Sequence, residues 1–243
     1  MLGPLEALGY DILAKNHALA ILTQDFPDEL GELVDSLAGF RIGIGEIIGG
    51  GGGEAVFTQR LRKALTDRGW PKHVFHVQTI VDGVEREAIG HEIDHVRRAP
   101  NGTLALEIEW NNKDPFYDRD LENFQRLHAQ SALSVGLIVT RGSTMQEAFG
   151  PRIAARLAAD CVSSEEDLAR YGIDERTTAQ RRAVQRLVGK GVPFPKAFTR
   201  NFVSSKFGQA TTHWAKLQAR VDRGVGNPCP LLLLGMPAGI LVD

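Results

Sequence analysis

The stretch from His91 to Trp110 reads HEIDHVRRAPNGTLALEIEW. Its second half is an apolar run of the kind that forms a buried strand, yet it carries Glu107 and Glu109, and Asp94 stands upstream. Side chains at i and i+2 of a strand share a face, so the two glutamates project together while Leu106 and Ile108 face the other way. Asn101-Gly102 is a hairpin signal, and pairing through it brings Asp94 alongside the glutamates. Carboxylates gathered in this way raise one another's proton affinity and repel unless a cation lies among them. Hard oxygen ligands suit Mg²⁺, which keeps several waters and binds through one or two carboxylates together with a substrate phosphate. The plainer reading is a solvent-facing strand edge with inert glutamates. Asp94 and the polar run Asn111-Asn112-Lys113-Asp114 just past the strand weigh against it.

Such residues need a frame to hold them. Residues 1–22 read as helix, with acids and without the basic start or small-residue cleavage site of a signal peptide. A helix is expected to begin near Glu54 and end at Gly69, with Val56, Leu61 and Leu65 on one face and Phe57 beside them. Strands are expected at Val74–Val81, Ala88–Val96 and Thr103–Trp110, followed by a helix over Asp118–Gln130 that turns Leu121, Phe124 and Leu127 inward. A further strand is expected at Ser134–Thr140, then helices near Glu165–Tyr171, Thr177–Val188 and Thr211–Val221, and a last buried strand at Pro230–Leu234. The sum is a mixed α/β chain with a central sheet flanked by helices.

Composition narrows the classes. The chain has 243 residues, 43% hydrophobic and 24% charged, as expected for one soluble globular domain, and its apolar runs are far too short to span a bilayer. Cys161 and Cys229, with no CxxC and no nearby His pair, form neither a disulfide framework nor a zinc site, and both read as core-lining. Net charge is −2, but between Arg176 and Arg223 eleven Lys and Arg face one acid, Asp222, leaving −12 for the rest. That asymmetry is either a phosphate-facing footprint or a solvated helix face paired with the acidic half. The glycine run Gly49–Gly53 lacks the Lys-Ser or Lys-Thr of a phosphate loop and reads as a turn. His91 and His95 flank Asp94 but are not read as metal ligands.

Asp94, then Glu107-x-Glu109, then Asn-Asn-Lys and a helix beginning Arg119-Asp120-Leu121, resembles the PD-(D/E)xK nuclease core, in the branch of type II restriction endonucleases represented by BglII, BstYI and BamHI. The stretches EIEWNNKDPFYDRDLENFQRLH at residues 107–128 and TTHWAKLQARVDRGVGNPCPLLLLG at 211–235 make the likeness more specific, and it extends over roughly residues 40 to 235. Glu109 stands where the motif's name has lysine, a departure shared within this branch. The resemblance implies that Asp94, Glu107 and the carbonyl of Ile108 hold Mg²⁺, while Glu109 orients or deprotonates the attacking water. An upstream helix glutamate often joins such sites, and Glu54 or Glu46 can fill that place. Asn111 and Asn112 are implied as base readers, since asparagine pairs bidentately with adenine. Lys113 and Arg141 join them at the DNA; Arg141 either forks onto guanine or serves as a phosphate or surface residue. Ser204, Ser205, Lys206, Thr212 and His213 are implied to position phosphate.

The resemblance thus implies a cytoplasmic, homodimeric type II enzyme that cuts a short palindromic duplex site, GATC-centred with a four-base 5′ overhang, beside a cognate DNA methyltransferase. Residues 1–40 would be a helical extension, 41–140 the catalytic core, and 141–243 a basic, sheet-completing half of the same single domain. Two alternatives stand beside it: a structure-specific repair nuclease on this core, and a DNA-binding module that keeps the fold without cutting.

Overall fold

The computed structural model describes residues 1–49 and 53–243. The expected glycine turn therefore lies, for residues 50–52, outside the described residues. The chain opens with α1 (Gly3–Leu8), β1 (Asp11–Lys15), α2 (Ala18–Asp25) and α3 (Pro27–Ala38), followed by β2 (Ile42–Gly43), α4 (Ile44–Ile48) and α5 (Val56–Asp67). A hairpin of β3 (His73–Val81) and β4 (Val84–Ile93) leads to β5 (His95–Ala99), β6 (Gly102–Glu109), α6 (Phe116–Ala129) and β7 (Val135–Arg141). Then come α7 (Ser143–Ala159), a 3₁₀ turn at Glu166–Tyr171, α8 (Thr178–Val188), α9 (Phe194–Lys206) and α10 (Trp214–Asp222). The chain closes with β8 (Leu231–Met236), a short 3₁₀ turn at Ala238–Ile240, and β9 (Leu241–Val242).

Five strands form the central mixed sheet in the order β1-β8-β7-β6-β5. β6, β7 and β8 run parallel, and the edge strands β1 and β5 run antiparallel to their neighbours. Alternation along the strands divides the core into two layers. Leu104, Leu106 and Ile108 of β6, with Val135, Leu137 and Val139 of β7, face a core shared with α2, α3, α5, α7 and α9. Ala105 of β6, Ile138 of β7 and Leu231 and Leu233 of β8 face α6 and α10. α6 lies close on that second face because Gly136 has no side chain: a Cβ there would come 2.4 Å from the ring of Phe124.

Several expectations change. Residues 1–22 are not one helix, because Gly9 turns into the left-handed region at φ 83° and ends α1. The residues after it become β1, an edge of the central sheet paired with β8. Val56 is exposed at the first position of α5, and Phe57, Leu61 and Leu65 form the inward face. The strand expected over Ala88–Val96 breaks at Asp94: β4 pairs with β3 in a separate ribbon, and only His95 onward joins the sheet. α7 was hidden by Gly150-Pro151, which reads as a breaker, but Met145, Phe149, Ile153 and Leu157 are buried along it at helical spacing. Cys229 is buried as expected; Cys161 is exposed, in a left-handed turn (φ 55°) just beyond α7.

Candidate active site at the exit of the central sheet

The break at Asp94 places it beside β6. His95 pairs with Leu106, so the residue before it comes opposite Glu107, and the Asp94 amide donates to Glu107 Oε2 at 3.3 Å. The β5–β6 ladder ends at Leu106, and among the described residues β6 pairs with no strand on that side beyond it. Glu107 and Glu109 lie on the face covered by α6 and are 3% and 2% exposed. α6 adds an acid of its own. Tyr117, Leu121, Phe124 and Leu127 form its inward stripe, and Asp120, at i+3 from Tyr117, lies on that stripe with no exposure at all.

Asp120 was missed by reading the strand alone. An acid inside an otherwise apolar helical stripe was the available signal. Arg119, next to it, donates from Nε to Asp120 Oδ1 at 2.9 Å, and its Nη2 lies 3.9 Å from Glu109 Oε1. The other Asp120 oxygen, Oδ2, is buried without an N–H donor among the described residues, and the Asp120 carboxyl hydrogen-bonds with that of Glu109. Burial, then the Asp120 charge, raises Glu109 from 4.5 to about 8; its hydrogen bond from Asn112 pulls the other way. Burial, then Asp120 and Asp94, pushes Glu107 well above the carboxylate range, and burial raises Asp120 as well. Arg119 offsets only part of this.

The cluster opens on two adjoining clefts. One, of about 480 Å³, is lined by His91, Asp94, Glu107, Glu109, Asn112 and Arg119 among others. The second, of about 370 Å³, joins Asp94, Ile108, Asn111 and Asn112 to Glu54. Glu54, ion-paired with Arg62, therefore shares a cleft with Asp94 and Ile108. Glu46 is spent elsewhere, capping the Gly43 amide at 3.0 Å and pairing with Arg60. Among the described residues no three His, Cys, Asp or Glu side chains are grouped so that they could hold a metal ion by themselves. The donor set nevertheless fits a hard divalent cation: buried carboxylates in excess of nearby cations, an acceptor oxygen without an N–H donor among the described residues, and cleft space for the waters that Mg²⁺ retains.

The residues expected at the DNA separate into groups. Asn111 and Asn112 line the clefts, and Asn112 Nδ2 donates to Glu109 Oε2 at 2.9 Å. Lys113 is exposed, bridged through its backbone to Thr211. Ser204 and Ser205 are exposed on α9. Lys206 is half-buried, with Nζ 3.4 Å from the carbonyls of Ile47 and Gly49, and burial lowers its proton affinity. Thr212 and His213 are buried, and among the described residues His213 Nε2 has no hydrogen-bond partner.

Arg141 departs most from the expectation of a base-reading or surface arginine. It is 0% exposed, each guanidinium nitrogen donates to a protein group, and the rings of Trp110, Phe149 and Phe207 lie around it. His91 and His95 bond to Asn123 and to the Trp70 carbonyl. The basic segment is also partly spent internally: Arg176 pairs with Glu165, and Arg220 with Asp114 and Asp118.

No helix among the described residues is long and apolar enough to cross a membrane. Comparison with known families finds that the model described as restriction endonuclease BglII/BglIII matches residues 10–236. No curated protein matches the chain.

Proposed function

The chain belongs to the restriction endonuclease BglII/BglIII family, and on that premise we propose that it is a Mg²⁺-dependent, homodimeric type II enzyme of the branch that includes BstYI and BamHI. It hydrolyses both strands of a short palindromic DNA site, one per subunit, so that two-fold symmetry in the site mirrors that of the protein. The observation that carries the reading is the convergence of half-buried Asp94 with the buried, under-neutralised Glu107 and Glu109 where β6 leaves the sheet beside an asparagine pair.

Asp94, Glu107 and the Ile108 carbonyl would hold Mg²⁺, which when bound supplies Lewis-acid polarisation of the scissile phosphate and acidifies water. Glu109 accepts the proton of the attacking water; its Oε2 is already held by Asn112, which fixes the carboxyl's orientation. Water forms the new P–O bond, the P–O3′ bond breaks, and the products are a 5′-phosphate and a 3′-hydroxyl. Glu54 contributes from the lining of the cleft it shares with Asp94. Asn111 and Asn112 read bases, and Lys113, Ser204, Ser205 and Lys206 lie along the path of the backbone, whereas Thr212 and His213 are buried and support the loop rather than touch phosphate. Arg141 is left out of the contact set because its donors are engaged. The site is GATC-centred and the overhang four bases at the 5′ side; the protein works in the cytoplasm beside a methyltransferase that protects the host's copies of the site.

Digestion of a sequenced, unmethylated plasmid by wild type and Asp94→Asn, each with Mg²⁺ or EDTA, tests this. Discrete fragments with wild type and Mg²⁺ alone are expected, and end-sequencing reads the site. Cutting confined to branched substrates would favour a repair nuclease. Binding without cleavage on varied DNA would leave a DNA-binding module.

A further inference from the structure

We infer that Arg141 is a positioning residue for site selection, a buried tie that holds the Asn111–Asn112 turn in place for base reading while itself touching no DNA. The inference rests on the nuclease reading for its functional consequence, but its structural basis is independent of that reading.

Arg141 ends β7, on the sheet face opposite Glu107 and Glu109. Its Nε donates to the Trp110 carbonyl at 2.6 Å, the peptide immediately before Asn111. Nη2 donates to Thr211 Oγ1 at 2.7 Å and to the Thr212 carbonyl, and Nη1 donates to Gln146 Oε1. One guanidinium therefore joins three segments: the end of β6, the start of α7 and the loop between α9 and α10. Gln146 completes the link by donating to the Phe207 carbonyl at 2.8 Å.

The same segments are joined by backbone. Thr212 N donates to the Asn112 carbonyl at 2.8 Å and Asp114 N to the Ala210 carbonyl at 3.1 Å, and Lys113 bridges Thr211. The turn bearing the asparagines is thus one side of a small ladder whose other side is the α9–α10 loop, with Arg141 beneath. Asn112 in turn holds Glu109, so displacement of this turn reaches the acid cluster.

The cation has no carboxylate within ion-pair distance among the described residues, and its charge is met by carbonyls and by the faces of Phe207, Phe149 and Trp110, 5.1, 5.8 and 6.0 Å from the guanidinium carbon. A planar fork with donors in several directions performs this; a lysine head does not. Reaching a base would strip the Trp110 and Thr212 carbonyls of donors and dismantle the ladder's support.

The test compares wild type with Arg141→Met and Arg141→Lys by two readouts. Amide hydrogen exchange in the DNA-free protein is expected to speed up about tenfold or more at Asp114 and Thr212, with Ile138 in the sheet unchanged. Cleavage preference for the cognate site over single-base variants is expected to fall about tenfold at more than one position, and lysine does not restore it. If Arg141→Met fails to fold, Thr211→Val and Gln146→Leu, which each remove one arm, are read for the same pair of effects at smaller size. The inference is overturned by unchanged exchange at these amides. Relaxation at a single base pair with the amides still protected would make Arg141 a direct reader, and looser amides with unchanged preference would make it a stability residue only. If wild type cuts no DNA, the nuclease reading fails, whereas the exchange result still reports on the tie itself.

Discussion

Two buried charge clusters lie on opposite faces of the strands that leave the central sheet, and they are built on opposite terms. On one face Glu107, Glu109 and Asp120 are less than 4% exposed with Arg119 as their nearby cation, and one carboxylate oxygen has no N–H donor among the described residues. On the other, Arg141 is equally buried, but carbonyls, a hydroxyl and an amide accept its protons and three aromatic rings enclose it. A buried charge is tolerated when it is paired and hydrogen-bonded, and otherwise shifts its protonation or recruits a counter-charge. The satisfied cluster is therefore structure, and the unsatisfied one is where the proposed Mg²⁺ would be held.

The sharpest way to break this contrast is through the acids. Asp94→Asn and Glu107→Gln are each expected to lower Mg²⁺-supported cleavage about a thousandfold or more, since several kcal/mol of charge stabilisation are lost, while leaving the metal-free fold intact; fragment yield in single-turnover digests measures it. Arg141→Met should show the reverse pattern, a loss of about 2–4 kcal/mol in urea unfolding from two carbonyls left without donors. Equal stability of Arg141→Met and wild type would erase the distinction.

The next effect is smaller and concerns protons. Glu109, raised from 4.5 to about 8 in the fold, holds more protons native than unfolded between those values. Its contribution to metal-free stability is full below about pH 4.5 and is lost as pH rises through about 8. Urea midpoints in EDTA should drift down across that window, Mg²⁺ should reverse the drift at neutral pH, and Asp120→Asn should raise metal-free stability by about 1 kcal/mol by removing a like charge. A midpoint that climbs with pH in EDTA would contradict the site's excess of acids.

The smallest effect separates the basic residues. Lys206→Ala should reduce the slope of log affinity for DNA against log salt by about one. Arg220→Ala should leave that slope unchanged, because Asp114 and Asp118 already neutralise Arg220. Equal slopes for both variants would return Lys206 to the internal role suggested by its contacts with Ile47 and Gly49.

Much of this architecture was legible in local pattern. The i, i+2 spacing of Glu107 and Glu109, the Asn101-Gly102 turn and the inward stripe of α6 depend on neighbours along the chain, so residue order alone carries them. Asp120 was half legible, as an acid within an apolar stripe, but nothing local says what that stripe faces. β1 was not legible, because its strand is made by a partner distant in sequence, Gly235 opposite Asp11; nor was the ribbon's departure at Asp94, because residues 88–96 read as one run whichever strand they pair with.

What the sequence by itself determined is the chemical inventory and its local facing: two strand carboxylates on one side, an acid upstream, asparagines just beyond, and apolar faces long enough to close a sheet. What only tertiary structure decided is which charges remain unsatisfied. Arg141 and Arg119 are the same residue type, and their surroundings, not their neighbours in the chain, make one a buried tie and the other an exposed companion of the acids. Solvation and pairing energies depend on atoms brought together from segments far apart in sequence, here from β6, β7, α6, α7 and the loop before α10, so a charge's role emerges only when those segments meet.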